Sequence, residues 1–293
     1  MGGCFLCPRL CGADRSKGQL GFCRCGELPV IARAAPHFGE EPCISGSRGS
    51  GTVFFSGCNM HCVFCQNRSI SFDRQGKEVS VKHLAEIFLR LQAQGVHNIN
   101  LVTPTHFADK ILESLKIAKL DIPVVWNSSG YENVETLRSL EGYVQIFMPD
   151  LKYTCGQAAH RYSAAENYPQ IAKAAILEMY RQTGAFRMDK DGILQSGVLL
   201  RHLILPGRVE DALDVIDWVS ESFPKNAVLF SLMSQFTPLA DKHLYPELSG
   251  TLTEEEYSRV QSYLSLSSIE NGYFQELSSA TTELIPNFDC TGV

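Results

Sequence analysis

No apolar run in this sequence reaches the ~18 residues needed to cross a bilayer. The first residues, Met1-Gly2-Gly3-Cys4-Phe5-Leu6-Cys7-Pro8, hold no basic stretch followed by an apolar one, so a secretory leader is not expected. There is no repeat of fixed period and no low-complexity tract. Nor is there an excess of positive charge: 26 Lys and Arg stand against 32 Asp and Glu, a net charge of −6. Bulk charge therefore gives no argument for nucleic-acid binding. These absences point away from membrane, secreted and nucleic-acid-coating proteins and toward the cytoplasm. What remains is ordinary globular composition, with 44% hydrophobic and 20% charged residues over 293 positions. At ~100–200 residues per domain, that length allows one large domain or two ordinary ones.

Cysteine is the residue in excess. There are 11, and six of them (Cys4, Cys7, Cys11, Cys23, Cys25, Cys43) fall in the first 43 positions. The odd count and the missing leader argue against a secreted disulfide framework. Clustered thiols in a reducing compartment more often bind a metal or a cluster.

Residues 1–50 read as a small Cys-rich module with much Gly and Pro and little periodicity, too short for a large core without a metal. From residue 51 to 266 apolar strands alternate with amphipathic helices. Strands are expected at Thr52–Ser56, Ile99–Val102, Pro123–Asn127, Tyr143–Met148, Val198–Leu205 and Ala227–Met233. Helices are expected at Val81–Leu91, Phe107–Leu120 with Thr105 as N-cap, Glu132–Leu140, Pro169–Gln182, Glu210–Ser222, and from Thr253 onward with a capping box to Glu256. About six such alternations signal βα units around a parallel sheet, short of the eight that close a full barrel. Residues 267–293 lack clear periodicity but are too apolar for a free tail, and are expected to pack as a cap.

Directly after the first of these strands stands Gly57-Cys58-Asn59-Met60-His61-Cys62-Val63-Phe64-Cys65, with the spacing C-x3-C-x2-C. Three thiolates on a tight loop can hold three irons of a four-iron cluster and leave the fourth open to a chelating ligand. A zinc loop is the alternative; its fourth ligand would have to be His61, which cannot easily converge with the adjacent Cys62 on one ion.

In this strand context the cysteine motif resembles the radical S-adenosylmethionine (SAM) superfamily. More narrowly, the chain resembles the pyruvate-formate-lyase-activating-enzyme-like proteins. That match runs through Glu41-Pro-Cys-Ile-Ser-Gly46, Val102-Thr-Pro-Thr-His106, Trp126-Asn-Ser-Ser-Gly-Tyr131, Met148-Pro-Asp-Leu-Lys-Tyr153, Leu200-Arg-His-Leu-Ile-Leu-Pro-Gly207 and Leu232-Met-Ser-Gln235. The resemblance implies an α/β fold, a partial (β/α)6 TIM-like barrel, with the site at the C-terminal strand ends. It implies a [4Fe-4S] cluster on Cys58, Cys62 and Cys65 that reduces SAM to a 5′-deoxyadenosyl radical, and a flavodoxin- or ferredoxin-like electron donor. Phe64 matches an aromatic near adenine. Relatives carry Gly-Gly-Glu after the second strand to meet the methionine amine. This chain has Thr103-Pro104-Thr105 there, so backbone carbonyls would have to accept instead. Asn127 and Ser128 are candidates for the ribose or the methionine carboxylate. Asp150 and Lys152 point to one side of the barrel, and Lys152 is placed to neutralise that carboxylate. Arg201, within an apolar strand, should pair with a carboxylate at the site, whereas His202 on the opposite face reads as structural. Gln235 is a further candidate.

The N-terminal set Cys4-x2-Cys7-x3-Cys11-x11-Cys23 offers four thiolates, enough for tetrahedral zinc or for an auxiliary cluster. Cys25 and Cys43 read as spare thiols or replacement ligands, and Cys155 and Cys290 as ordinary ones. Three functions compete. The first is a radical SAM enzyme acting on a small molecule, a lyase or isomerase, with release of the deazapurine base queuine as one specific reading. The second is an activase that takes hydrogen from a glycine of a partner enzyme. The third is a non-enzymatic zinc-binding interaction protein. No nucleic-acid or membrane partner is expected.

Overall fold

A computed structural model describes residues 3–279 and 285–293. After a Cys-rich coil the chain forms β1 (Val30–His37), α1 (Pro42–Ser45), β2 (Ser50–Phe55), α2 (Arg68–Ser71), β3 (Lys77–Glu78) and α3 (Val81–Ala93). Then follow β4 (Ile99–Val102), α4 (Ala108–Ala118), β5 (Val124–Ser128), α5 (Val134–Ser139), β6 (Ile146–Pro149), α6 (Gly156–Ser163) and α7 (Tyr168–Thr183). The rest is β7 (Arg187–Met188), β8 (Leu194–Leu203), α8 (Val209–Ser222), β9 (Leu229–Met233), α9 (Glu254–Leu266) and β10 (Gly272–Phe274).

The strands β2, β4, β5, β6, β8 and β9 lie side by side and parallel, in the order the sequence pattern predicts. Their register sets Gly51 opposite Ile99, Ile99 opposite Val124 and Leu199 opposite Leu229. They are buried on both faces, as parallel strands with crossover helices must be. The helices cover the outside. On α3 the residues Leu84, Ala85, Ile87, Phe88 and Leu91 are buried, and the Ser80 hydroxyl caps the helix by accepting from the His83 N–H at 3.1 Å. The capping box joining Thr253 and Glu256 opens α9 as expected.

The barrel interior is filled from one end only. Helix α1 turns in so that Cys43 and Ile44 pack with Val125, Ile146, Met148, Leu194, Leu199 and Leu229. This plug leaves the space at the C-terminal strand ends free. It also carries Glu40 and Glu41, just before α1, into the barrel beside β8.

Some elements depart from the sequence pattern. The strand β1 lies inside residues 1–50 and pairs antiparallel with β2; its small residues and Pro36 give no clear alternation. Helix α6 also has no strong signal, because it is short and opens on Gly156. The expected cap at Thr105 is absent. Residues Thr105–Phe107 form a tight 3-10 turn, α4 starts at Ala108, and the Thr105 hydroxyl donates instead to Glu132 Oε1 at 2.7 Å. In the C-terminal segment, β10 extends the sheet beside β9, and Cys290 and Thr291 hydrogen-bond to the backbone of Ala32 and Ala34. Residues 280–284 of the segment expected to act as a cap lie outside the described residues.

Candidate active site

The three loop cysteines share one wall of a cavity of about 270 Å³ at the C-terminal strand ends. Their loop leaves β2 through Gly57, whose φ of +81° suits glycine. A Cβ there would fall 2.3 Å from Cys25 Sγ and 2.5 Å from the Cys23 carbonyl oxygen, so no other residue fits. Each loop sulfur accepts one hydrogen bond. Met60 N–H donates to Cys58 Sγ at 3.3 Å, the Ser163 hydroxyl to Cys62 Sγ at 3.0 Å, and the Ser71 hydroxyl to Cys65 Sγ at 3.3 Å. Such donors stabilise thiolates. Burial pushes the Cys58 thiol up to about 12 and raises Cys65 as well. A cationic centre that coordinates sulfur would offset that burial. His61 is turned out of the cavity and stacked between Phe22 and Phe72, so it is no fourth ligand. Three cysteine ligands with one position left over suit a [4Fe-4S] cluster that keeps an open iron.

A charged group stands on the cavity wall formed by β5, β6 and β8. Arg201 donates from Nε to Asp150 Oδ1 at 3.0 Å, from Nη1 to Glu40 Oε2 at 3.2 Å and from Nη2 to Asn127 Oδ1 at 2.8 Å. Lys152 Nζ donates to Asp150 Oδ2 at 2.5 Å. Glu40 Oε1 accepts from Asn100 and Asn127 at 2.9 and 3.3 Å. Burial opposes ionisation of Asp150, yet Lys152 and Arg201 together hold its carboxyl below the usual range. Burial likewise opposes the charge on Lys152, and Asp150 more than compensates, raising it. Glu40 is different. Burial, with help from Glu41 and Asp150, pushes it up to about 7 against the pull of Arg201.

The structure brings together Phe64, Thr103, Asn127, Ser128, Asp150, Lys152, Arg201 and Gln235, all lining the cavity with the three cysteines. Thr105 is the exception, a correction to the sequence reading: it is buried against Glu132 and does not line the cavity. Thr103 takes a φ of +59°, in the left-handed region that favours glycine. Arg201 pairs with protein carboxylates, and His202 is structural, its Nδ1–H donating to the Leu151 carbonyl at 2.6 Å. Glu40 and Asn100 were not legible as site residues. The only hint was the Glu40-Glu41 pair standing before a buried helix.

At the N-terminus, Cys11 and Cys23 flank the backbone of Gly21, whose Cβ would lie 3.2 Å from Cys11 Sγ and 3.4 Å from Cys23 Sγ, and Cys7 feels the charges of Cys4 and Cys23. Burial raises Cys7 to about 12, while a hydrogen bond from Cys25 lowers Cys23. Cys25 Sγ also lies 3.3 Å from the Ser56 carbonyl oxygen, an alternative acceptor for its one proton. Among the described residues no three His, Cys, Asp or Glu side chains converge closely enough to share a single metal ion. Cys43 lies in the plug and Cys155 caps α6, both away from these sets.

The model of the radical SAM superfamily matches residues 52–153, the stretch from β2 to the turn after β6. An uncharacterized protein of Methanocaldococcus jannaschii is 32% identical over 266 residues, covering 87% of this chain and 72% of that protein. The chain belongs to the radical SAM superfamily. Solved structures agree at the level of fold. Methylornithine synthase aligns with a TM-score of 0.51 at 13% identity, over 89% of this chain and 72% of its own. Streptococcus suis SuiB bound to S-adenosylmethionine aligns with a TM-score of 0.50 at 13% identity, over 76% of this chain and 49% of its own. This chain thus spans about half the length of SuiB. Membership of the radical SAM superfamily makes the protein an enzyme that uses a [4Fe-4S] cluster and SAM. No helix among the described residues is long and apolar enough to cross a membrane.

Proposed function

We propose that this radical SAM enzyme abstracts hydrogen from a small molecule held in the cavity beside Arg201, with Cys58, Cys62 and Cys65 holding the cluster. When bound, the cluster supplies the electron that splits SAM into methionine and a 5′-deoxyadenosyl radical. The chain's own residues bind and orient. Lys152, fixed by Asp150, presents its remaining N–H groups to the methionine carboxylate. The backbone at Thr103 accepts from the methionine ammonium, and Asn127 and Ser128 serve the ribose. Phe64, packed against Phe236 at 5.9 Å between ring centroids, offers a face to adenine. Apolar walls of Phe54, Met60, Leu203 and Met233 keep water from the radical.

One observation carries the choice of a small substrate. Ile285 and Pro286, from the far end of the chain, line the same cavity as His37 and Gly39 at the end of β1. Segments from both ends of the chain therefore narrow the space, acting as the cap, and a glycyl loop of another protein would have to displace them. A lyase on a deazapurine nucleoside, releasing queuine, is the first specific reaction to assay. The electron donor is taken to be a flavodoxin- or ferredoxin-like protein in the cytoplasm. Cys4, Cys7, Cys11 and Cys23 are the candidate ligands of a second metal group, a zinc ion or an auxiliary cluster with a structural role, and binding one ion would require their side chains to draw closer together.

The test is anaerobic reconstitution followed by assay of 5′-deoxyadenosine with reductant and candidate small molecules. Replacing Cys58, Cys62 and Cys65 together with Ala should abolish its formation. Stimulation only by a partner protein, never by a small molecule, would favour the activase.

A further inference from the structure

Five side chains form a continuous stack along the outer face of the cysteine loop. The Arg9 guanidinium lies 3.9 Å from the Phe22 ring centre. Phe22 stacks on His61, and His61 on Phe72, each pair at 4.8 Å between centroids. The Arg68 guanidinium closes the far end, 4.4 Å from the Phe72 ring. A cation thus stands at each end of three aromatic rings. Arg9 and Phe22 come from the Cys-rich module, His61 from the loop between Cys58 and Cys62, and Arg68 and Phe72 from α2 and its end.

Arg9 also grips the loop directly. Its Nε donates to the Asn59 carbonyl at 2.7 Å and its Nη2 to that of Met60 at 3.4 Å, the two residues that follow Cys58. The same guanidinium donates to the carbonyls of Ser163 and Ala164 at 2.9 and 2.5 Å. Ser163 is the residue whose hydroxyl reaches Cys62 Sγ. His61 takes a φ of +56°, costly for a residue with a Cβ, and the two flanking rings fix it there. Neither Arg9 nor Phe22 lines the cavity.

We propose that the Cys-rich module is a clamp on the radical cluster, with Arg9 and Phe22 as positioning residues that fix the Cys58–Cys65 loop. Arg9 lies between Cys7 and Cys11, and Phe22 is next to Cys23. Any metal bound in the module would therefore act on the cluster loop through these two residues. Arg9 adds a positive charge close to the cluster, which favours the reduced, more negative state. The proposal rests on the cluster assignment above.

The test compares Arg9→Gln, Phe22→Leu, Phe22→Tyr and Arg68→Gln with the wild type, all reconstituted anaerobically. The readouts are the SAM-induced change in the electron paramagnetic resonance spectrum of the reduced cluster, the midpoint potential of that cluster, and its rate of loss to a chelator. Only a cluster with an open iron responds to SAM, so the signal is separate from any metal in the module. Arg9→Gln should make the midpoint more negative and alter the spectrum. Arg68→Gln, exposed at the far end of the stack, should shift the midpoint the same way by less. Phe22→Leu should speed cluster loss roughly 10–100-fold, and Phe22→Tyr, which keeps the ring, should restore wild-type behaviour. Wild-type spectrum, potential and chelation rate in the Arg9, Arg68 and Phe22→Leu variants would overturn the clamp and leave the cluster standing. A wild type with no SAM-responsive cluster would remove the assignment beneath it.

Discussion

Arg201 and Asp150 meet across neighbouring strand ends, the Arg201 Nε donating to Asp150 Oδ1 at 3.0 Å while the Arg201 carbonyl accepts from the Leu151 N–H at 2.8 Å. Backbone and side chain thus fix the same pair. Three of the five N–H groups of Arg201 are taken by Asp150, Glu40 and Asn127, which fix the guanidinium against the wall. Lys152 is held by a single partner, Asp150, and keeps two N–H groups for a ligand.

Lys152→Ala should weaken SAM binding by about 1.5–3 kcal/mol, tenfold or more, because it removes a charge-assisted contact. Equilibrium binding to protein with an intact cluster measures it. An unchanged affinity would move the methionine carboxylate to another partner.

Arg201→Ala should destabilise the fold by up to about 3 kcal/mol, since Glu40 would lose its buried cation and Asp150 would keep only Lys152. Arg201→Lys should recover only part, because one ammonium cannot span three acceptors on different strands. Urea midpoints check both.

Thr103→Gly should leave SAM affinity unchanged and stability equal or higher, as glycine tolerates a φ of +59° without strain. A marked loss of SAM binding would show that the Thr103 side chain, rather than the backbone, meets the ligand.

Glu40 and Glu132 are both raised by burial from 4.5 to about 7. The folded state then binds protons that the unfolded state releases between those values. Stability from these groups is fully present below pH 4.5 and falls as pH rises toward 7. Glu132→Gln should flatten that slope in urea midpoints taken across the window, and Glu40→Gln should do the same. A slope unchanged in both variants would place the proton uptake elsewhere.

Much of this site was legible because each signal was local. The Cys58–Cys65 spacing needs no partner to be read, and charged Asp150, Lys152 and Arg201 stand out against apolar strands. The six parallel strands follow from runs of buried β-branched and aromatic residues separated by amphipathic helices. Glu40 was hidden for the opposite reason. It reaches the site only because α1 folds back into the barrel, which no periodicity records. Thr105 misled because a threonine before an amphipathic helix is ordinary capping chemistry, whereas here Glu132, distant in sequence, captures the hydroxyl. Strand β1 was masked by alanines and Pro36 within a segment dominated by cysteine.

The pairing of Cys290 and Thr291 with Ala32 and Ala34 has a practical side. Beyond its short pairing with β3, β1 would otherwise present unused N–H and C=O groups to solvent, a template for another chain. Cys290 and Thr291 occupy part of that row. Replacing Thr291 and Cys290 by a flexible Gly-Gly pair that weakens this pairing should therefore promote self-association, which gel filtration reads.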